Sequence, residues 1–159
     1  MSLFTAFKAY LYPKVEALAR RLLEATFAHP EVREVGEVLG PRFDEPLTER
    51  LQEALEEAGL EEFVAEAKEG VIRFGRKASK PRLKIRLWLK NRPDPDRRRV
   101  QPLEVGRLME GALDPLDPWG SAEAFADRAA EAVQVVVEAA EAFVEEVSRA
   151  YRGEKGGRR

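Results

Sequence analysis

Apolar residues recur every three or four positions over most of the chain, and at one place that period drops to two. Leu3, Phe4, Phe7, Tyr10 and Leu11 form a helical stripe that Ser2 can cap, and the stripe resumes at Val15, Leu18, Ala19, Leu22, Leu23 and Phe27. Pro13 lies between the two runs and lacks the N–H of a helical hydrogen bond, so the pattern predicts either one bent helix or two consecutive ones. Either way the helix ends near His29, with Pro30 as the boundary. Val32, Val35 and Val38 or Leu39 then follow helical spacing as far as Gly40-Pro41, although their β-favouring valines equally suit a strand. Asp44-Glu45-Pro46 reads as a new helix start, with a capping oxygen, negative charge at the positive dipole end and proline in the first turn. Leu47, Leu51, Ala54, Leu55 and Ala58 carry that helix to Gly59.

Glu61 to Glu69 fits either a short helix or the lead-in to a strand. The stretch Gly70 to Lys90 breaks the helical pattern. Leu83, Ile85, Leu87 and Leu89 alternate strictly with Lys84, Arg86, Trp88 and Lys90, which places aliphatics on one face of an extended chain and cations with an indole on the other. Val71 to Arg76 is its expected hairpin partner, with Ala78-Ser79-Lys80 at the tip. Asn91 to Gln101 reads as a loop or arm in which Arg97 to Val100 could pair as an edge strand. A helix is expected from Pro102 with Leu103, Val105, Leu108 and Met109, and with Leu113 as a possible last member, followed by a rigid DPLDPWG connection with Trp119 over an edge of the core. Ser121 then caps the longest helix, whose stripe runs from Phe125 through Val133, Val136, Ala140 and Val144 to Tyr151. Together these elements predict an α+β fold: several amphipathic helices on a small antiparallel hairpin or three-stranded sheet. The expected organisation is one domain over residues 1–151 and a flexible basic tail over 152–159.

Charge changes the picture more than composition does. The net charge is −2, yet the segment from Arg73 to Arg99 holds 12 Lys and Arg against two acids, a local +10 that leaves −12 for the remainder. Segregation of this kind directs the local field, and it makes one face of the hairpin a candidate binding surface for nucleic acid or another polyanion. The candidate residues are Arg73, Arg76, Lys77, Arg82, Lys84, Arg86, Trp88 and Lys90, with Arg97, Arg98 and Arg99 as a basic arm. Cations interleaved with a flat ring provide phosphate neutralisation plus base stacking. The alternative is that basic strand residues deter edge pairing or meet acidic faces of a second copy, giving a structural subunit that forms a homo-oligomer.

Catalytic chemistry finds less support in the pattern. Cysteine is absent, which excludes disulfides and thiolate sites, and no phosphate-loop or dinucleotide glycine pattern occurs, so no cofactor is expected. His29 is the sole histidine and sits at a helix end beside no obvious nucleophile. Asp94 and Asp96 lie next to competing arginines, and Asp114 and Asp117 suit turns or caps better than acid–base work, so no metal or catalytic residue is assigned. No apolar run approaches a membrane span and no signal-peptide pattern opens the chain, which points to a cytoplasmic protein with no membrane partner. A single Asn, three Gln and two Met beside abundant Glu and Arg match the bias of thermophile proteins. The sequence therefore favours a non-enzymatic accessory protein.

Overall fold

The computed structural model describes residues 3–77, 83–87, 108 and 113–157. Helix α1 spans Leu3–Phe27 and α2 spans Pro30–Glu57. Strands β1 (Phe63–Lys68), β2 (Val71–Arg76) and β3 (Leu83–Arg86) follow, and α3 (Pro118–Gly157) closes the described part of the chain. The expected α+β class is what is found: the three strands form an antiparallel sheet in the order β1-β2-β3, and its inner face is buried against helices.

Alternation places Phe63, Ala65 and Ala67 of β1, Ile72 and Phe74 of β2, and Leu83 and Ile85 of β3 on that inner face, all buried. An aromatic column ties sheet to helices. Phe63 stacks on Phe74 at 5.3 Å between ring centroids and meets Phe125 of α3 at 5.8 Å, and Phe125 in turn stacks on Phe7 of α1 at 6.0 Å. Helix α3 presents Ala129, Ala132, Val133, Val136, Val137, Ala140 and Val144, all fully buried, along the groove between α1 and α2. Small side chains let the three helix axes approach closely.

Several expected boundaries shift. Helix α1 passes Pro13 as one element, with Leu11 and Val15 fully buried on either side. The larger correction concerns α2, which continues through Gly40-Pro41 and through Asp44-Glu45-Pro46, where a fresh helix start was expected. An internal proline costs about 3 kcal/mol, whereas burying a leucine contributes roughly 1.5–3 kcal/mol. Leu47, Leu51 and Leu55 are all buried on one face of α2, and Phe43 meets Phe143 edge-on at 5.9 Å, so tertiary packing outweighs the missing hydrogen bonds. Within the 61–69 segment, Phe63–Lys68 is strand and no residue is helical.

The last helix also starts earlier than expected and ends later. Asp117, not Ser121, is its cap: Asp117 Oδ1 accepts the N–H of Gly120 at 3.1 Å, and Pro118 occupies the first helical position. Ser121 Oγ instead accepts the N–H of Asp114 at 2.9 Å. Asp114 and Asp117 are thus turn and cap residues, Asp114 Oδ1 also accepting the N–H of Leu116 at 2.9 Å. Trp119 is 56% exposed and borders a hollow at the rim of the core with Phe7, Ala122 and Ala126. Past Tyr151, where composition suggested a tail, the helix runs on to Gly157. Leu108 is helical and buried. The expected hairpin tip 78–80, the arm 91–101 and the rest of the helix after Pro102 lie outside the described residues.

Candidate nucleic-acid interface

The outer face of the sheet is set by the same alternation that fixes the core. Across one row the register places Glu66 of β1, Arg73 of β2 and Lys84 of β3 side by side, and all three are exposed. The next row carries Lys68, Val71 and Arg86 as register partners. Opposed residues on neighbouring strands have Cβ atoms about 5 Å apart, so Arg73 and Lys84 bring two positive charges together on an open surface.

Other basic residues are divided by the fold. Arg76 falls on the inner side of β2, opposite Phe63, with its guanidinium 6.0 Å from the centre of the Phe125 ring. It serves the edge of the core rather than the Arg73–Lys84 face. Lys77 is exposed at the end of β2 and shares a hollow of about 160 Å³ with Glu56 and Glu61. Arg82, Trp88, Lys90 and Arg97 to Arg99 lie outside the described residues, and Arg86 is placed by its backbone alone.

Several helix carboxylates are paired with arginines away from the strand cations. Glu141 of α3 pairs with Arg21 of α1 at 2.9 Å, Glu146 of α3 pairs with Arg50 of α2, and Arg128 of α3 takes Glu62 just before β1. Among the described residues none of Lys68, Arg73 and Lys84 forms an ion pair. What does stand beside Arg73 is a groove of about 600 Å³ between α2 and β1, where Asp44, Glu45, Glu49 and Glu66 face Lys68 and Arg73.

Helix α2 is held at the β1 edge by polar side chains spaced one helical turn apart. Asp44 Oδ1 accepts the N–H of Glu69 at 2.9 Å, Thr48 Oγ1 accepts the N–H of Ala67 at 2.9 Å, and Gln52 Nε2 donates to the carbonyl of Ala65 at 2.9 Å. These bonds occupy edge groups that would otherwise invite another strand. At the far side of the sheet, the buried Thr26 hydroxyl lies 2.8 Å from the Leu87 carbonyl and 2.7 Å from that of Leu23, fixing the end of α1 to the chain just past β3.

A second polar cluster was not legible in the sequence because Ser148 and Arg152 lie over a hundred residues from His29 and Glu31. Ser148 of α3, fully buried, donates its hydroxyl to Glu31 of α2 and lies 3.2 Å from His29 Nδ1, while Arg152 Nε stands 3.7 Å from Glu31. Serine, histidine and carboxylate are the ingredients of an activated nucleophile, but their arrangement here is different. In a catalytic triad the serine hydrogen bonds the base, and the acid bonds the other ring nitrogen. Here the carboxylate takes the serine hydrogen, and both Ser148 and Glu31 lie on the Nδ1 side of the ring. The hydrogen bond from Ser148, Glu31's own backbone N–H and the charges of Arg152 and His29 hold the Glu31 carboxyl below its ordinary range against a smaller opposing effect of desolvation. The cluster joins the start of α2 to α3.

Among the described residues no group of three or more His, Asp or Glu side chains is placed to hold a metal ion, and no helix is long and apolar enough to cross a membrane. Comparisons with protein-family models, curated proteins and solved structures find no match.

Proposed function

We propose that this chain is a non-enzymatic accessory protein that binds nucleic acid or another polyanion on the outer face of the β2–β3 hairpin. The observation that carries the reading is the direct opposition of Arg73 and Lys84 on an exposed face without carboxylate ion-pair partners among the described residues. Like charges directly opposite one another destabilise a sheet. An anion seated on the pair offsets that repulsion, and releasing counterions from a nucleic acid backbone adds to the affinity. Two acids of α3, Glu141 and Glu146, are meanwhile engaged by Arg21 of α1 and Arg50 of α2.

Fluorescence anisotropy with a labelled single strand of about 20 nucleotides tests this. Binding at low salt that weakens steeply as salt rises, and that Arg73→Glu with Lys84→Glu abolishes, is the expected result. No binding at low salt, or binding indifferent to the double reversal, would overturn the proposal.

The second reading is a homo-oligomer, favoured by the acidic groove of Asp44, Glu45, Glu49 and Glu66 lying beside the basic row. Two copies could match groove to hairpin. Sedimentation equilibrium decides: a dimer that dissociates on Lys84→Glu supports this reading, and a monomer removes it.

A further inference from the structure

We infer that the carboxylates along α2 and β1 make the hairpin face selective for single-stranded nucleic acid over duplex. This rests on the reading of the hairpin as a polyanion site.

Among the described residues, the row of cations ends at β2 on its β1 side. Arg73 and Lys84 stand on adjacent strands about 4.8 Å apart, and the next strand on the β1 side already carries Glu66 in the same row. Beyond Glu66, Glu45 and Glu49 of α2 are exposed along the groove that Arg73 itself borders. Toward the other end of the strands Glu56 and Glu61 flank Lys77 in the smaller hollow. Carboxylates therefore outnumber cations on the β1 side, where Lys68 is the exception in the groove, and they begin within one strand spacing of Arg73. That distance is shorter than the Debye length of about 8–10 Å at moderate salt, so a phosphate on the strip senses both signs.

A single strand is flexible enough to follow β2 and β3 without crossing β1. A duplex is a stiff rod with two phosphate rows, separated across its grooves by roughly 6 Å or 12 Å. Laid along the strip, it overhangs α2 and β1 and brings phosphates against carboxylates. Repulsive groups placed against the wrong partner are a recognised source of specificity. Glu45, Glu49 and Glu66 carry the effect here. Asp44 borders the same groove, but its carboxylate is already committed to the Glu69 N–H.

The experiment compares the wild type with Glu45→Gln/Glu49→Gln/Glu66→Gln, using one labelled sequence as a single strand and as a duplex at low salt. All three side chains are exposed and outside the ion pairs among the described residues, and circular dichroism verifies the fold of the variant. The wild type is expected to prefer the single strand by about 10-fold, and the variant to narrow that preference to about 3-fold or less by gaining duplex affinity. Equal wild-type affinities for the two forms, or an unchanged ratio in the variant, would overturn the inference while leaving the hairpin as a binding face. Failure of the wild type to bind either form would instead sink the hairpin reading, and the selectivity with it.

Discussion

Asp44 and Glu69, 25 residues apart, are joined by a hydrogen bond of 2.9 Å from the Glu69 backbone N–H to the Asp44 carboxylate. Glu69 needs that support. With Gly70 it forms the two-residue turn between β1 and β2, and both have positive φ, 49° and 80°. A non-glycine residue in this region costs roughly 1–2 kcal/mol, and the mirror-image turn it belongs to favours asparagine at that place. Asp44→Ala should lower stability by about 1 kcal/mol, and Glu69→Asn should raise it by roughly 0.5–1 kcal/mol. Urea denaturation of the two variants checks both signs.

Thr48 holds the middle of the same ladder. Thr48→Val keeps the shape but leaves the Ala67 N–H without its acceptor, for an expected loss of roughly 1–3 kcal/mol. Amide hydrogen exchange should quicken at Ala67 in particular. Unchanged protection there would mean that the β1 edge does not depend on α2.

Gly120 is fixed by its neighbour, not by its φ. A Cβ at this position would collide with the Asp117 carboxylate, so the cap of α3 and an alanine cannot coexist. Gly120→Ala is expected to cost about 1–2 kcal/mol, comparable to deleting the cap by Asp117→Ala. The double variant should be little worse than either single one, which a thermal unfolding series can establish.

The junction at Glu31 predicts a dependence on pH. Its carboxyl is held below the ordinary value of 4.5 in the folded protein, first by the Ser148 hydrogen bond. A lowered folded-state pKa means that the unfolded chain binds the proton more readily, so the stabilisation is fully present well above pH 4.5 and is lost as pH falls through the folded value. Ser148→Ala should move the Glu31 titration toward 4.5, followed by NMR. The stability gap between wild type and variant should then shrink as the solution is acidified below pH 4.5. A gap that is constant from pH 6 to pH 3 would place the effect of Ser148 in packing alone.

Strand periodicity made the hairpin legible: Leu83 and Ile85 alternate with Lys84 and Arg86, and the burial follows that alternation where side chains are described. The long α3 stripe was equally plain from Phe125 to Val144. What misled was local punctuation. Asp44-Glu45-Pro46 has every mark of a helix start, but the buried face of α2 continues through it, and the carboxylate that would have capped it is used by a turn in the sheet. The Asp-Pro pairs raised a related ambiguity at α3, where Asp117 took the capping role expected of Ser121. Arg76 could not be separated from Arg73 by composition, because only the register puts it on the Phe125 side. The meeting of Ser148 with His29 and Glu31 depends on helix packing, which no local pattern encodes.

The central claim is that Arg73 and Lys84 engage phosphate directly, and salt dependence counts such contacts. Each phosphate neutralised on a single strand contributes about 0.7 to the slope of log affinity against log salt. For Arg73→Ala/Lys84→Ala, affinity measured across a salt series should fall and the slope should be shallower than wild type by about 1.4. An identical slope in the double variant, or wild-type binding that does not respond to salt, would contradict the account.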